Sequence, residues 1–109
     1  IIGGPVEGRV ALMFDDMIST AGSICGAAEM VHAAGAKEIY VAATHGVLSG
    51  NAIEKLDAAP ITGVIVTDSI PLNAEKTLDK IEQLTVAPLL GEAIKRIHHD
   101  ESISDIFSR

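Results

Sequence analysis

An α/β fold, an open parallel sheet with flanking helices, is what this sequence predicts, and three observations predict it. Short apolar runs recur at residues 10–14, 38–43 and 63–67. Segments with apolar residues at helical spacing separate them. Polar residues gather where each run ends, at Asp15, Thr44 and Asp68. Strands that alternate with helices imply parallel pairing through right-handed crossovers. Ligands of such sheets bind outside the carboxyl ends of the strands.

Residues 10–14 (VALMF) are continuously apolar, as in a strand buried on both faces. Residues 22–34 follow as a helix with Ile24, Ala27, Ala28 and Val31 on one side, and Gly35 suits the position just past its end. Residues 38–43 (EIYVAA) read as the second strand. Residues 49–56 read as a short helix with Ile53 and Leu56 inward, and residues 63–67 (GVIVT) as the third strand. Residues 84–87 are expected as a fourth strand, and residues 89–98 as a closing helix with Ala93 and Ile97 on one face. Residues 73–82 fit a loop or a ragged helix. Four strands make a thin sheet for a complete domain. With a first residue that is not Met, this suggests that residues 1–109 are a piece of a longer chain.

Composition narrows the function. Hydrophobic residues make up 48% of the 109, aromatics 3%, and Trp is absent, so the core must be aliphatic and Ala-rich. The net charge of −7 argues against duplex nucleic acid, whose binding rests on many Lys and Arg contacts. No apolar run approaches the roughly 20 residues that span a bilayer, and no signal-peptide pattern opens the sequence. The single cysteine, Cys25, makes no internal disulfide, which suits a reducing, cytoplasmic setting.

The segment from Asp15 to Ser23 (DDMISTAGS) carries the chemistry. Two adjacent carboxylates at a strand end are costly unless they meet cations, water or hydroxyl donors. Their expected use is to hold ribose hydroxyls, directly or through hydrated Mg²⁺. Neighbouring strand residues point to opposite faces, so the pair should divide its roles. Thr20, Ala21, Gly22 and Ser23 are small, let the backbone approach an anion closely, add hydroxyls, and lead into a helix N-terminus. No Lys or Arg lies between Val10 and Ala36. A phosphate bound there must rest on backbone N–H groups, the helix terminus, a metal or basic residues from elsewhere, and the loop is expected to hold it without a nearby side-chain cation. The plain alternative is a helix-capping aspartate and an ordinary turn.

This segment resembles the phosphoribosyl-diphosphate-binding loop of type I phosphoribosyltransferases and of ribose-phosphate pyrophosphokinases. The second family fits nearly the whole chain, through GPVEGR from Gly4, DDMISTAGS, AAGAK from Ala33, ATHGVLSGNA from Ala43, VTDSIP from Val66, LLGEAIKRIH from Leu89 and ESISDIF from Glu101. The resemblance implies a type I phosphoribosyltransferase-like fold and the C-terminal part of an enzyme that moves the diphosphate of ATP onto ribose 5-phosphate. It implies that Asp15 and Asp16 face the ribose hydroxyls and that Ser19, Thr20, Ala21, Gly22 and Ser23 cradle the 5-phosphate. Ser102, Ser104 and Phe107 would match a regulatory site for phosphate or ADP between subunits. A homo-oligomer, usually a hexamer, and Mg²⁺ as cofactor also follow from it. The catalytic loop and the ATP half would lie upstream of Ile1, so the piece alone should not turn over. The family usually has a third aspartate where this chain has Ser19.

A catalytically silent regulatory relative is the second reading, kept alive by Ser19. A signalling receiver is the third, since Asp16 and Asp68 mimic its acidic positions, although Pro88 and Leu89 stand where a receiver needs lysine. His45 could contact substrate or simply bond to a turn. His32 reads as surface, His98 and His99 suit a helix C-terminus, Lys95 and Arg96 read as a solvated face, and Cys25 as an inert buried thiol.

Overall fold

An apolar run of five residues can hide its backbone polar groups only by pairing sideways and its side chains only by being covered. The computed structural model describes residues 5–72 and 74–106, and in it these runs form one parallel four-stranded sheet. β1 (Val10–Ile18), β2 (Glu38–Gly46), β3 (Gly63–Thr67) and β4 (Ile81–Leu84) lie side by side in chain order. α1 (Gly22–Ala33) connects β1 to β2, and α2 (Ala52–Ala58) connects β2 to β3. α3 (Ala87–His98) follows β4, and a 3-10 turn at Ser104–Ile106 follows α3. The predicted α/β class and parallel sheet are borne out.

Several boundaries differ from the sequence reading. β1 runs four residues past its apolar stretch, because Asp15, Met17 and Ile18 still pair with Ala43, His45 and Gly46 of β2. Gly46 itself sits where a Cβ would meet the Val66 side chain at 3.1–3.3 Å, so a larger residue would push β2 off β3. α2 starts at Ala52 rather than residue 49, since Gly50 holds a positive φ of 59°. The fourth strand lies three residues earlier than residues 84–87. Thr85 and Val86 leave the sheet, and Ala87 and Pro88 open α3, where proline suits the first turn. Within residues 73–82, those described form turns that lead into β4.

Strand order without reversal has a consequence for the layers. Right-handed crossovers that all step the same way put α1 and α2 on one face of the sheet. Between them and the sheet lies the core: Ile39, Val41, Ala43, Val64 and Val66 from the strands, Ala28, Ala52 and Leu56 from the helices. It is aliphatic and alanine-rich, as composition requires. The other face is open. Along β1, Val10, Leu12 and Phe14 are exposed, Phe14 at 76%, and Leu84 of β4 is 51% exposed. α3 also lacks cover: Leu90, Ile94 and Ile97 form a stripe and none of its residues is buried. The radius of gyration, 16.5 Å, exceeds the about 13 Å of a compact chain this long.

One lysine holds the far end of α2. Lys80 donates from Nζ to the carbonyls of Asp57, Ala59 and Ile61 at 3.2–3.3 Å. Asp57 lies in the last turn of α2, Ala59 is its C-cap and Ile61 follows just beyond, so the ammonium ties down the end where helical carbonyls run out of partners. Lys80→Met should therefore lower stability by about 1–2 kcal/mol, read as a shifted denaturant midpoint at unchanged slope.

Candidate functional site

β1 delivers Asp15 and Asp16 within the strand, so the predicted loop from Asp15 to Ser23 is shorter than expected. Only Ser19, Thr20 and Ala21 separate the strand from α1. Ala21 is the N-cap residue and takes a left-handed conformation, φ 70° and ψ 5°, while 5% exposed. That conformation costs an alanine about 1 kcal/mol. A left-handed residue next to helical ones turns successive N–H groups to one side, forming an anion-binding nest. No side chain caps α1 and no acidic residue occupies its first turn. The free N–H groups and the positive end of the helix dipole thus remain available to a ligand.

Asp15, Ser19, Thr20, Ala21, Gly22 and Ser23 all line one concavity of about 310 Å³, with Met17, Ile18 and Ile24. Asp16 is not among its lining residues. Strand alternation sends Asp16 to the open face with Phe14, while Asp15 shares the helix-covered face with Ala43. The carboxyl pair therefore divides as expected, and only Asp15 reaches the cradle. Its Oδ1 accepts a 2.7 Å hydrogen bond from the Asp16 N–H, which fixes the carboxylate.

Ser19 pairs with Ser49, Oγ to Oγ at 3.0 Å, and the Ser49 N–H donates to the Ser19 carbonyl at 2.8 Å. Val47 and Leu48 both donate to the Ile18 carbonyl at 3.0 Å. The VLSG segment after β2 is in this way stitched to the floor of the cradle. Ser49 was missed as a site residue; its motif was visible, but not its partner across thirty positions.

A second missed residue corrects the sequence reading more sharply. No cation lines the cradle, but a lysine distant in sequence comes near the start of α1. A methyl group built at Gly22 would meet the Lys55 ammonium at 3.8 Å and the Thr20 hydroxyl at 4.0 Å. Lys55 comes from α2, which the crossover rule lays beside α1. Cys25, one turn into α1, is buried; desolvation pushes its thiol pKa up, helped by Glu29 and opposed by Lys55 and Lys80. It is the buried thiol that the sequence suggests.

The other strand ends carry a hydrogen-bonded cluster. Thr67 Oγ1 donates to the Thr44 carbonyl at 2.6 Å and accepts from the Ser69 N–H at 3.1 Å. Ser69 Oγ donates to the same carbonyl at 3.1 Å and lies 2.7 Å from His45 Nδ1. His45 is thus tied into a turn. A groove of about 220 Å³ runs beside the cluster, lined in part by Asp15, Thr44, Thr67 and Leu84.

Asp68 closes the β4–α3 turn rather than joining the cradle. The Thr85 hydroxyl and then the Val86 N–H, at 2.8 Å, hold its carboxyl below the usual carboxylate range. A folded-state pKa below the unfolded one gives stability that is present above the unfolded value and lost as pH falls through the folded one. Asp68→Asn should therefore flatten the acid limb of a stability–pH curve below about pH 4 and leave little pH dependence of its own. With Asp68 committed to this turn, the receiver reading loses its acceptor.

Ser102 and Ser104 pair with each other, Oγ to Oγ at 2.9 Å, beyond α3, and neither lines the cradle. Arg96 donates to the Ser102 carbonyl at 3.4 Å. Phe107, predicted with them, lies outside the described residues. His98 and His99 meet edge to face, with ring centroids 5.3 Å apart. Among the described residues no three His, Cys, Asp or Glu converge to hold a metal. No helix among the described residues is long and apolar enough to cross a membrane.

A sequence model of the phosphoribosyl synthetase-associated domain matches residues 1–108. This chain belongs to that family. It is 72% identical over 107 residues to the ribose-phosphate pyrophosphokinase of Rhodopirellula baltica, covering 98% of this chain and 34% of the relative. It is 53% identical to the ribose-phosphate pyrophosphokinase of Caldanaerobacter subterraneus over 96% of this chain and 33% of that one. The crystal structure of phosphoribosylpyrophosphate synthetase from Mycobacterium smegmatis superposes with a TM-score of 0.87 at 38% identity, over 90% of this chain and 33% of the other. The chain spans about a third of the length of the phosphoribosyl synthetase relatives it matches. The resemblance read from the motifs is borne out at the level of the family.

Proposed function

We propose that this chain is the C-terminal, ribose 5-phosphate-binding part of a ribose-phosphate pyrophosphokinase, which transfers diphosphate from ATP to ribose 5-phosphate. One observation carries the reading. The uncapped, left-handed start of α1 opens into the same concavity as the Asp15 carboxylate. A phosphate held by the N–H groups of residues 21–23 would leave the sugar within reach of a fixed acceptor for its hydroxyls. The named relatives act as pyrophosphokinases, and the likeness covers nearly all of this chain.

Here the chain's own groups bind and orient. Backbone N–H groups and the Thr20 and Ser23 hydroxyls donate to the phosphate, and Asp15 accepts from the sugar. Among the described residues no three ligating side chains converge, and Asp15 or Asp16 would hold Mg²⁺, as hard carboxylate oxygens suited to that ion. When bound it would supply neutralisation of phosphate charge. The ATP half and the catalytic basic loop belong to the rest of the enzyme in this reading. So do a homo-oligomeric, commonly hexameric, assembly, regulation by phosphate or ADP near Ser102, Ser104 and Phe107, and a cytoplasmic setting.

The silent-relative reading keeps one specific observation in its favour: the Ser19 hydroxyl is bonded to Ser49, at the position where the resemblance implies an aspartate as the usual residue. Assay of the full-length protein with ATP and ribose 5-phosphate decides. Formation of phosphoribosyl diphosphate at enzymic rates supports the pyrophosphokinase. Ribose 5-phosphate binding without turnover, restored by Ser19→Asp, would favour the silent relative.

A further inference from the structure

We infer that Lys55, close to Gly22 though not lining the cradle, supplies the side-chain charge that favours a dianionic phosphate ester there. The inference rests on the reading of the cradle as the ribose 5-phosphate site. The case begins with the charge balance. The chain carries −7, and the cradle places Asp15 beside the position of an incoming anion. Backbone dipoles alone must then offset both the phosphate's charge and a neighbouring carboxylate.

Lys55 is the described cation placed to help. Its Nζ stands 3.8 Å from the point where a Gly22 side chain would begin, and Thr20 Oγ1 stands 4.0 Å from that same point. Gly22 thus leaves a gap between the ammonium and the first turn of α1 that a bulkier residue would narrow. Lys55 is half-buried, and its ammonium makes no hydrogen bond or ion pair among the described residues. Lys80, the other lysine whose charge reaches Cys25, is held by three carbonyls at the opposite end of α2. With no protein partner among the described residues, the ammonium is available to an anion, and a phosphate at the first turn of α1 is the partner this geometry offers. Lys55 is not among the residues that line the cradle, so it acts as a charge across a short gap rather than as one arm of a clamp.

Such a charge acts on the bound anion and not on the reacting centre, which gives the test its form. Equilibrium binding of ribose 5-phosphate to the full-length protein is measured for wild type, Lys55→Met and Lys55→Arg, at low and high salt, with KM and kcat alongside. Lys55→Met should weaken ribose 5-phosphate about tenfold, at little change in kcat or in KM for ATP. Its binding should also lose part of its salt dependence, and Lys55→Arg should retain most of the affinity. Lys55→Gln takes the place of Lys55→Met if the latter fails to fold. If wild type binds ribose 5-phosphate and neutral variants match it at every salt concentration, the role of Lys55 is overturned and the proposed function stands. If wild type binds no ribose 5-phosphate, both fall together.

Discussion

Produced by itself, this 109-residue chain should self-associate and bind a hydrophobic dye, and Leu12→Glu with Phe14→Glu should return it to a dye-silent monomer in sedimentation. Leu12 is 62% exposed and Phe14 76%, side by side on the open face, with Leu84 three strands away. Parallel sheets are stable when both faces are covered, and an apolar patch of this kind invites association. The same two substitutions should act with opposite sign in the full-length protein. There the open face would be packed under other chain, and two buried carboxylates should cost roughly 3 kcal/mol or more. A soluble, dye-silent wild-type piece would show that the face needs no cover.

Asp15→Asn in the full-length protein should raise the ribose 5-phosphate requirement by about 10–100-fold, the worth of a charged hydrogen bond or two. Asp16→Asn should do less, because Asp16 lies outside the cradle's lining. Steady-state KM for ribose 5-phosphate with ATP saturating measures both. Equal effects, or a larger one at Asp16, would mean that the sugar sits on the open face of β1 and not over the nest.

The sheet was legible because its signal is local: uninterrupted apolar runs mark strands, although β1, expected to be buried on both faces, leaves Val10, Leu12 and Phe14 exposed on one. The ends of β1 and β2 were not legible, because polar residues interrupt both apolar runs while Asp15, Met17 and Ile18 go on pairing with Ala43, His45 and Gly46. β4 was misplaced for a related reason. Ile81–Leu84 (IEQL) is half polar and sits on an edge, so its strand character comes from β3 beside it. The cradle itself could be read from nine residues in a row, since a nest and a helix start are made by consecutive backbone. The nearness of Lys55 and Ser49 could not, because the chain reaches them only through β2 and the turn back toward α1. The absence of cations from residues 10–36 was a true statement about sequence and a false guide to space.

The left-handed Ala21 has a last implication. Its conformation is set by burial and by the Cys25 N–H, which donates to the Ala21 carbonyl at 3.0 Å. The unfavourable torsion is therefore settled when the chain folds, before any ligand arrives. On the proposed function, a phosphate entering the cradle would meet donors already converged and little loop entropy to remove, so recognition would be rigid docking into a preorganised receptor rather than closure around a guest. Ala21→Gly would relax the torsion at no steric expense and yet bind more weakly, because the free protein would then sample backbone shapes that bound protein must give up.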